Sequence, residues 1–195
     1  HPAEAIAAAI VAGQRVFGEN TTQEGLPKIA RFPDEPLEWH FIGRLQSNKA
    51  KLVPGNFGWL HSLDNLKLAE RLARFAHERS AILNILIEVN ITRDPAKHGV
   101  APEAVAPLLD ELLRADLAGL RLCGLMAIGP HPADVAEQRA AFAAVRELRD
   151  ACRSRFALAE FTELSMGMSG DYQAAIAEGA TLVRVGSAIF GERDY

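Results

Sequence analysis

Apolar positions along the chain alternate between a helical period and short continuous runs. Ala3, Ile6, Ala7, Ile10 and Val11 share one helical face behind Pro2, and Gly13 follows, which predicts a helix over residues 2–12. Short apolar runs then recur at residues 15–17, 38–42, 59–63, 84–91, 122–128, 161–164 and 182–185, and read as seven strands. The run 84–91 is nearly all apolar, as expected of a parallel strand covered on both faces. Helical patterns lie between the later runs. Leu66, Ala69, Leu72, Ala73 and Ala76 form one face, with Asp64 as the expected cap. Val105, Leu108, Leu109, Leu112 and Leu113 form a second. Phe142, Val145, Leu148 and Cys152 mark a long helix from about Pro132, and a short helix is expected around 171–177.

Strand and helix alternate throughout, which predicts a parallel α/β sheet. Two architectures satisfy this, a closed (β/α)8 barrel and an open doubly wound sheet. The Gly-x-Gly-x-x-Gly fingerprint of the open class is absent after the first strand, which favours the barrel. A closed barrel needs eight strands and the pattern supplies seven, with a helix coming first. The first strand is therefore expected upstream of His1, and residues 1–195 are read as one N-terminally incomplete (β/α)8 TIM barrel domain.

Composition narrows the class of partner. The net charge of −4, with 49% apolar and 24% charged residues, speaks against bulk attraction to nucleic acid or anionic lipid. The densest basic group, Arg146, Arg149, Arg153 and Arg155, has the spacing of a solvated helix face. No run has the length of a membrane span, and no signal-peptide pattern opens the sequence. Cys123 and Cys152 lack metal-site spacing, so a reduced, cytoplasmic-type protein with structural thiols is expected.

Polar residues collect where a barrel carries its chemistry, at the C-terminal ends of the strands. Asn20, His40, Arg44, His61, Asp64, Asn90, Met126, Ser165 and Arg184 all fall there. Asn20 and Asp64 also suit helix caps, and either histidine alone would suit an ordinary buried ring. Trp39 and Trp59 are expected to pack between barrel and helices. Arg184 resists a bland reading, because it interrupts the apolar run Leu182-Val183-Arg184-Val185, where an unpaired charge is costly. Small residues and hydroxyls in the run Ser165 to Ser169, and again at Gly186 and Ser187, suit backbone amides cradling an anion. The loops after strands seven and eight are a frequent phosphate site in such barrels.

Motifs in fixed order carry a resemblance. They are Phe17-Gly18-Glu19-Asn20 with Gln23-Glu24, Trp39 to Lys49, His61-Ser62-Leu63-Asp64, Val89-Asn90-Ile91, Lys97 with Gly99, and Gly124-Leu125-Met126. Leu164 to Ser169 with Asp171, and Val183 to Tyr195, complete the set. Together they resemble the pyridoxal phosphate homeostasis proteins over the whole chain. The resemblance implies a barrel of the alanine racemase N-terminal-domain type and a role in cofactor and amino-acid balance without strong catalysis. It also implies pyridoxal 5′-phosphate held by a Schiff-base lysine at the end of the first strand. On this basis Ser165 and the amides near Gly186 and Ser187 would hold the phosphate. Arg184 would face the pyridine ring, Asn20 and Met166 would line the pocket, and His40 would join the same wall. Thr21-Thr22, Gly170 and Ser187 depart from the family pattern, where Tyr-Val, an acidic residue and threonine are usual. The lysine is expected just upstream of His1, since none of Lys28, Lys49, Lys51, Lys67 and Lys97 follows a predicted strand.

Three function classes stay in view: a monomeric cytoplasmic cofactor carrier that serves apo-enzymes, an amino-acid racemase on the same barrel, and a module for another phosphorylated metabolite. The racemase reading needs a second base, and Tyr172 and Tyr195 are the only tyrosines.

Overall fold

All seven strands expected from the pattern are present, and they pair in parallel, in chain order, as a single sheet. The computed structural model describes residues 1–191. Residues 192–195, the end of the last motif and with it Tyr195, lie outside the described residues. The elements are α1 (Ala3–Val11), β1 (Val16–Glu19), α2 (Thr22–Arg31), β2 (Glu38–Phe41), a 3-10 turn (Ser47–Leu52), β3 (Trp59–Leu63) and α3 (Leu66–Glu78). Then follow β4 (Leu83–Val89), α4 (Pro102–Arg114), β5 (Leu120–Ala127), α5 (Val135–Arg155), β6 (Glu163–Met168), α6 (Tyr172–Ala177), β7 (Leu182–Arg184) and α7 (Ser187–Phe190).

Contacts across the sheet show that it is curled into a barrel. His61 on β3 bonds Ser165 on β6 at 2.8 Å, although these strands stand three places apart in the sheet. Arg184 on β7 reaches the carbonyl of Ala127 on β5 at 3.1 Å. Only a concave face brings such residues together. Among the described residues β1 and β7 are not paired with each other, so the barrel is nearly closed.

Strand alternation then sorts the side chains. Ile85, Ile87 and Val89 of β4, Leu125 and Ala127 of β5, and Leu164 and Met166 of β6 face outward into the main apolar core. The helices contribute Leu72, Val105, Leu109, Phe142 and Val145 to the same core. Leu86 and Met126 point into the barrel, and the register shift at Gly124 brings Cys123 to the same side, where the three form a small separate cluster against Trp59 and Leu182. Trp39 is buried in the outer core as expected. Trp59 is not: it faces inward and stacks on His40 at 5.2 Å, because residues 59 and 61 share one face of β3.

Several boundaries differ from the sequence expectation, each for a local reason. Strand β6 continues through Ser165, Met166, Gly167 and Met168, which the pattern assigned to the following loop. Serine and glycine do not favour strands, but the ladder from β5, with Met126 opposite Ser165, carries the backbone on. Helix α2 escaped the pattern because Gly25 and Pro27 lower its propensity. The Thr21 hydroxyl caps α2 by accepting from Glu24 N at 3.2 Å. Asn65 rather than Asp64 caps α3, accepting from Leu68 N at 2.8 Å. Helix α5 starts at Val135, where Asp134 and Glu137 form a reciprocal capping box.

Gly124 marks the tightest point of the sheet. A Cβ there would lie 1.9 Å from the Glu163 carbonyl oxygen, next to the register shift that pairs β5 with β4. Replacing it, as Gly124→Ala, must push β5 and β6 apart. The expected cost is about 1–3 kcal/mol, the usual range for overpacking, read as a lower denaturant midpoint. An unchanged midpoint would show that the backbone absorbs the methyl group.

Candidate functional site

The C-terminal mouth and the interior directly beneath it hold the polar residues of the barrel. Strand β7 delivers Arg184 to the rim. The Arg184 Nη1 group donates to Ser165 Oγ at 2.7 Å, and Nη2 donates to the Ala127 carbonyl at 3.1 Å. Below it His61 Nδ1 lies 2.8 Å from the same serine oxygen, and His61 Nε2 lies 2.8 Å from His40 Nδ1. His40 Nε2 reaches Glu38 Oε1 at 2.8 Å. Ser165, His61 and His40 are all buried, whereas the Glu38 side chain is 52% exposed.

Burial sets the electrostatics of this column. It holds His61 well below the ordinary histidine value, and the nearby His40 and Arg184 push the same way. Burial also lowers His40, with the Glu38 hydrogen bond and charge pulling back. Arg184 falls to about 10 through burial, opposed by Asp171 and Glu88, so it stays cationic at neutral pH. Glu88, inward on β4, is raised by burial and by Asp64, against Arg184 and Arg44.

A second feature lies between β7 and α7. The amides of Gly186 and Ala188 converge on one oxygen, Ser169 Oγ, at 3.2 and 3.3 Å. Two N–H groups aimed at a single oxygen form a small anion cradle. Asp171 shapes the loop before it by accepting from Met168 N at 2.6 Å.

The structure therefore groups the expected residues unevenly. Arg184, Ser165 and His40 belong to one continuous network. The Gly186 amide points into the cradle, and Ser187 is exposed beside it as the first residue of α7. Ser165 has its hydroxyl engaged by His61 and Arg184, and Ser169 is the serine whose oxygen sits at the amide cradle. Met166 is fully buried in the outer core, because it alternates with the inward Ser165. Asn20 is exposed just after β1, its carbonyl so close to Gly43 that a Cβ there would lie 2.1 Å away. Asn90 holds the loop after β4 through the Asp94 carbonyl at 2.7 Å. None of the five lysines lies on a strand, and Lys97 donates to the Gly129 carbonyl at 3.1 Å. Sequence reasoning missed Ser169 and the Ala188 amide as a pair, and Glu38 and Glu88. Only the hydroxyl at the end of the Ser165–Ser169 run hinted at the first. Among the described residues no cluster of His, Cys, Asp and Glu is arranged to hold a metal.

Comparison with known proteins gives consistent findings. The family described as the alanine racemase N-terminal domain matches residues 1–194. A pyridoxal phosphate homeostasis protein of Pseudomonas aeruginosa is 47% identical, over 100% of this chain and 81% of that protein. The protein of the same name from Escherichia coli is 46% identical, over 100% and 82%. Among solved structures, PipY of Synechococcus elongatus with PLP bound superposes with a TM-score of 0.90 at 41% identity, covering 98% of this chain and 88% of that one. An alanine racemase of Clostridium difficile shares the fold, with a TM-score of 0.72 at 16% identity over 97% of this chain and 47% of that one.

The buried histidines predict a pH limb. Both are held below their ordinary range in the native state, so the unfolded chain binds more protons as pH falls through that range. Stability is then full above the ordinary histidine value and drops below it. Denaturation curves across that window should show the loss, and His61→Gln, which cannot titrate, should make it shallower. A variant curve with the parent's slope would assign the limb elsewhere.

Proposed function

We propose that this chain, which belongs to the alanine racemase N-terminal domain family and within it to the pyridoxal phosphate homeostasis proteins, binds pyridoxal 5′-phosphate at the barrel mouth and serves as a carrier rather than a catalyst. One observation carries this reading: the amide cradle of Gly186 and Ala188 stands beside the buried Arg184 cation. A phosphate oxygen suits the place that Ser169 Oγ takes between the two amides. The guanidinium suits the pyridine nitrogen, to which it offers only donors. Asn20 and Ser187, both exposed at the mouth, are assigned to the surrounding pocket, and Ser165 and His40 act through Arg184, while Met166 packs in the outer core. The names and bound ligand of the relatives support the same ligand.

The cofactor supplies an electron sink, strongest when its ring nitrogen is protonated. Arg184 works against that protonation, because it is itself a fixed cation and cannot accept the proton. Its two anchors, Ser165 Oγ and the Ala127 carbonyl, keep it aimed at one place. Such a site binds and orients the ligand while weakening the carbanion chemistry a racemase requires. None of the five lysines of this chain lies on a strand, so none is assigned to attach the ligand. Handing the ligand to apo-enzymes, as a monomer, completes the proposal. Among the described residues no helix is long and apolar enough to cross a membrane.

Titration with pyridoxal phosphate, followed by its absorbance, tests the reading. Saturable binding is expected. Arg184→Ala should weaken binding roughly tenfold and shift the spectrum, the usual scale for losing a charged hydrogen bond, without lowering the helical signal. Absence of saturable binding overturns the proposal. Rapid loss of optical rotation from L-alanine or L-serine would establish the racemase reading instead.

A further inference from the structure

The five polar side chains beneath the mouth come from four strands, and their hydrogen bonds have only one consistent direction. A guanidinium carries donors and no acceptor, so Arg184 Nη1 must donate to Ser165 Oγ. A carboxylate only accepts, so His40 Nε2 must donate to Glu38 Oε1. His40 is lowered by burial and neutral at neutral pH, so its remaining nitrogen, Nδ1, is an acceptor. His61 Nε2, 2.8 Å away, must then carry the hydrogen and donate. That leaves His61 Nδ1 as an acceptor, and the one hydrogen available to it is the Ser165 hydroxyl hydrogen at 2.8 Å. The assignment is set from the Glu38 end, because Ser165 Oγ alone could accept from both sides, and with both imidazoles neutral every donor meets an acceptor.

We propose that this one-way chain, Arg184 to Ser165 to His61 to His40 to Glu38, is what aims Arg184 at the ligand, with His61 and His40 as positioning residues that never touch it. The inference rests on the reading that the mouth takes pyridoxal phosphate. The chain joins a cation at the mouth to a carboxylate near the opposite, N-terminal end of the strands, so it is polarised along its length. It also makes the aim of Arg184 dependent on protons arriving at the exposed end. A proton added to His40 Nδ1 would face the hydrogen on His61 Nε2, donor against donor. The His61 hydrogen must then sit on Nδ1, and Ser165 Oγ must accept from both sides, which frees its own hydrogen from His61.

The charges around the chain are on several elements. His61 faces His40 on β2 and Arg184 on β7, and His40 faces Glu38 on its own strand and the Trp59 ring on β3. Arg184 also faces Glu88 on β4 and Asp171 just before α6, and Glu88 in turn faces Asp64 and Arg44. The acidic groups near Arg184 keep it charged, so the proton-sensitive members are the two imidazoles.

Nitrogen NMR of the imidazole rings in ligand-free protein tests the direction without reference to function. At neutral pH both His40 and His61 should be neutral with hydrogen on Nε2, and either ring charged or carrying hydrogen on Nδ1 overturns the chain. Two variants test its purpose. His61→Leu removes the acceptor for Ser165, whereas His61→Gln supplies an oxygen to Ser165 and an N–H to His40. Pyridoxal phosphate should bind roughly tenfold more weakly to His61→Leu, with a shifted spectrum, and His61→Gln should recover most of that affinity. The parent's bound spectrum should also change as His40 titrates, and that change should vanish in His40→Gln. Equal weakening in both His61 variants, or none in either, overturns the positioning role. Should His61→Leu fail to fold, His40→Leu against His40→Gln makes the same comparison one link further on. A parent that folds, shows the expected tautomers and binds no pyridoxal phosphate defeats the functional reading and leaves the hydrogen-bond direction standing.

Discussion

A guanidinium held largely out of water at the mouth of the barrel is the constraint to which the rest of the site answers. Burial lowers Arg184 to about 10, and the loss of hydration must be offset by fixed dipoles and charges. The barrel provides the Ser165 hydroxyl, the Ala127 carbonyl and the more distant carboxylates of Glu88 and Asp171. Each comes from a different element: β6, the end of β5, β4 and the turn before α6. No single segment could deliver that set, so the cation is stable only where the sheet has curled.

The curl in turn depends on a division of labour within each strand. Outward positions are apolar and pack under the helices, where Phe142, Leu109, Leu72 and Ile87 are fully buried. Inward positions are free to be polar because the outer layer supplies most of the hydrophobic stabilisation. This is why histidines, a serine and an arginine can occupy the centre of a stable barrel, provided that nearly every hydrogen bond is made. Trp59 is the exception. Its indole Nε1 is buried without a partner while its ring stacks on His40, so it contributes packing rather than polarity to the interior.

The two features at the mouth have different structural causes. One is a cation with donors only, anchored by the Ser165 hydroxyl and the Ala127 carbonyl. The other is a pair of backbone amides whose direction is fixed by the chain path around Gly186. Side-chain charge sets the first and backbone geometry the second, so the two can be altered separately.

Much of this was legible in the sequence. The apolar runs located all seven strands, and the misfit of Arg184 in an apolar strand marked it as a charge in need of partners, because burying a charge carries a cost in any fold. The motifs identified the family. Periodicity could not place Ser165 with His61, since the two lie 104 residues apart and meet only across the barrel. Nor could it place Met166 on the outer face or Trp59 on the inner one, because the strand boundaries at β6 and the parity of β3 are fixed by ladder pairing. Local propensity and charge cost are properties of the chain itself. Which polar group faces which, and hence the direction of the hydrogen bonds in the interior, was decided only when the sheet curled.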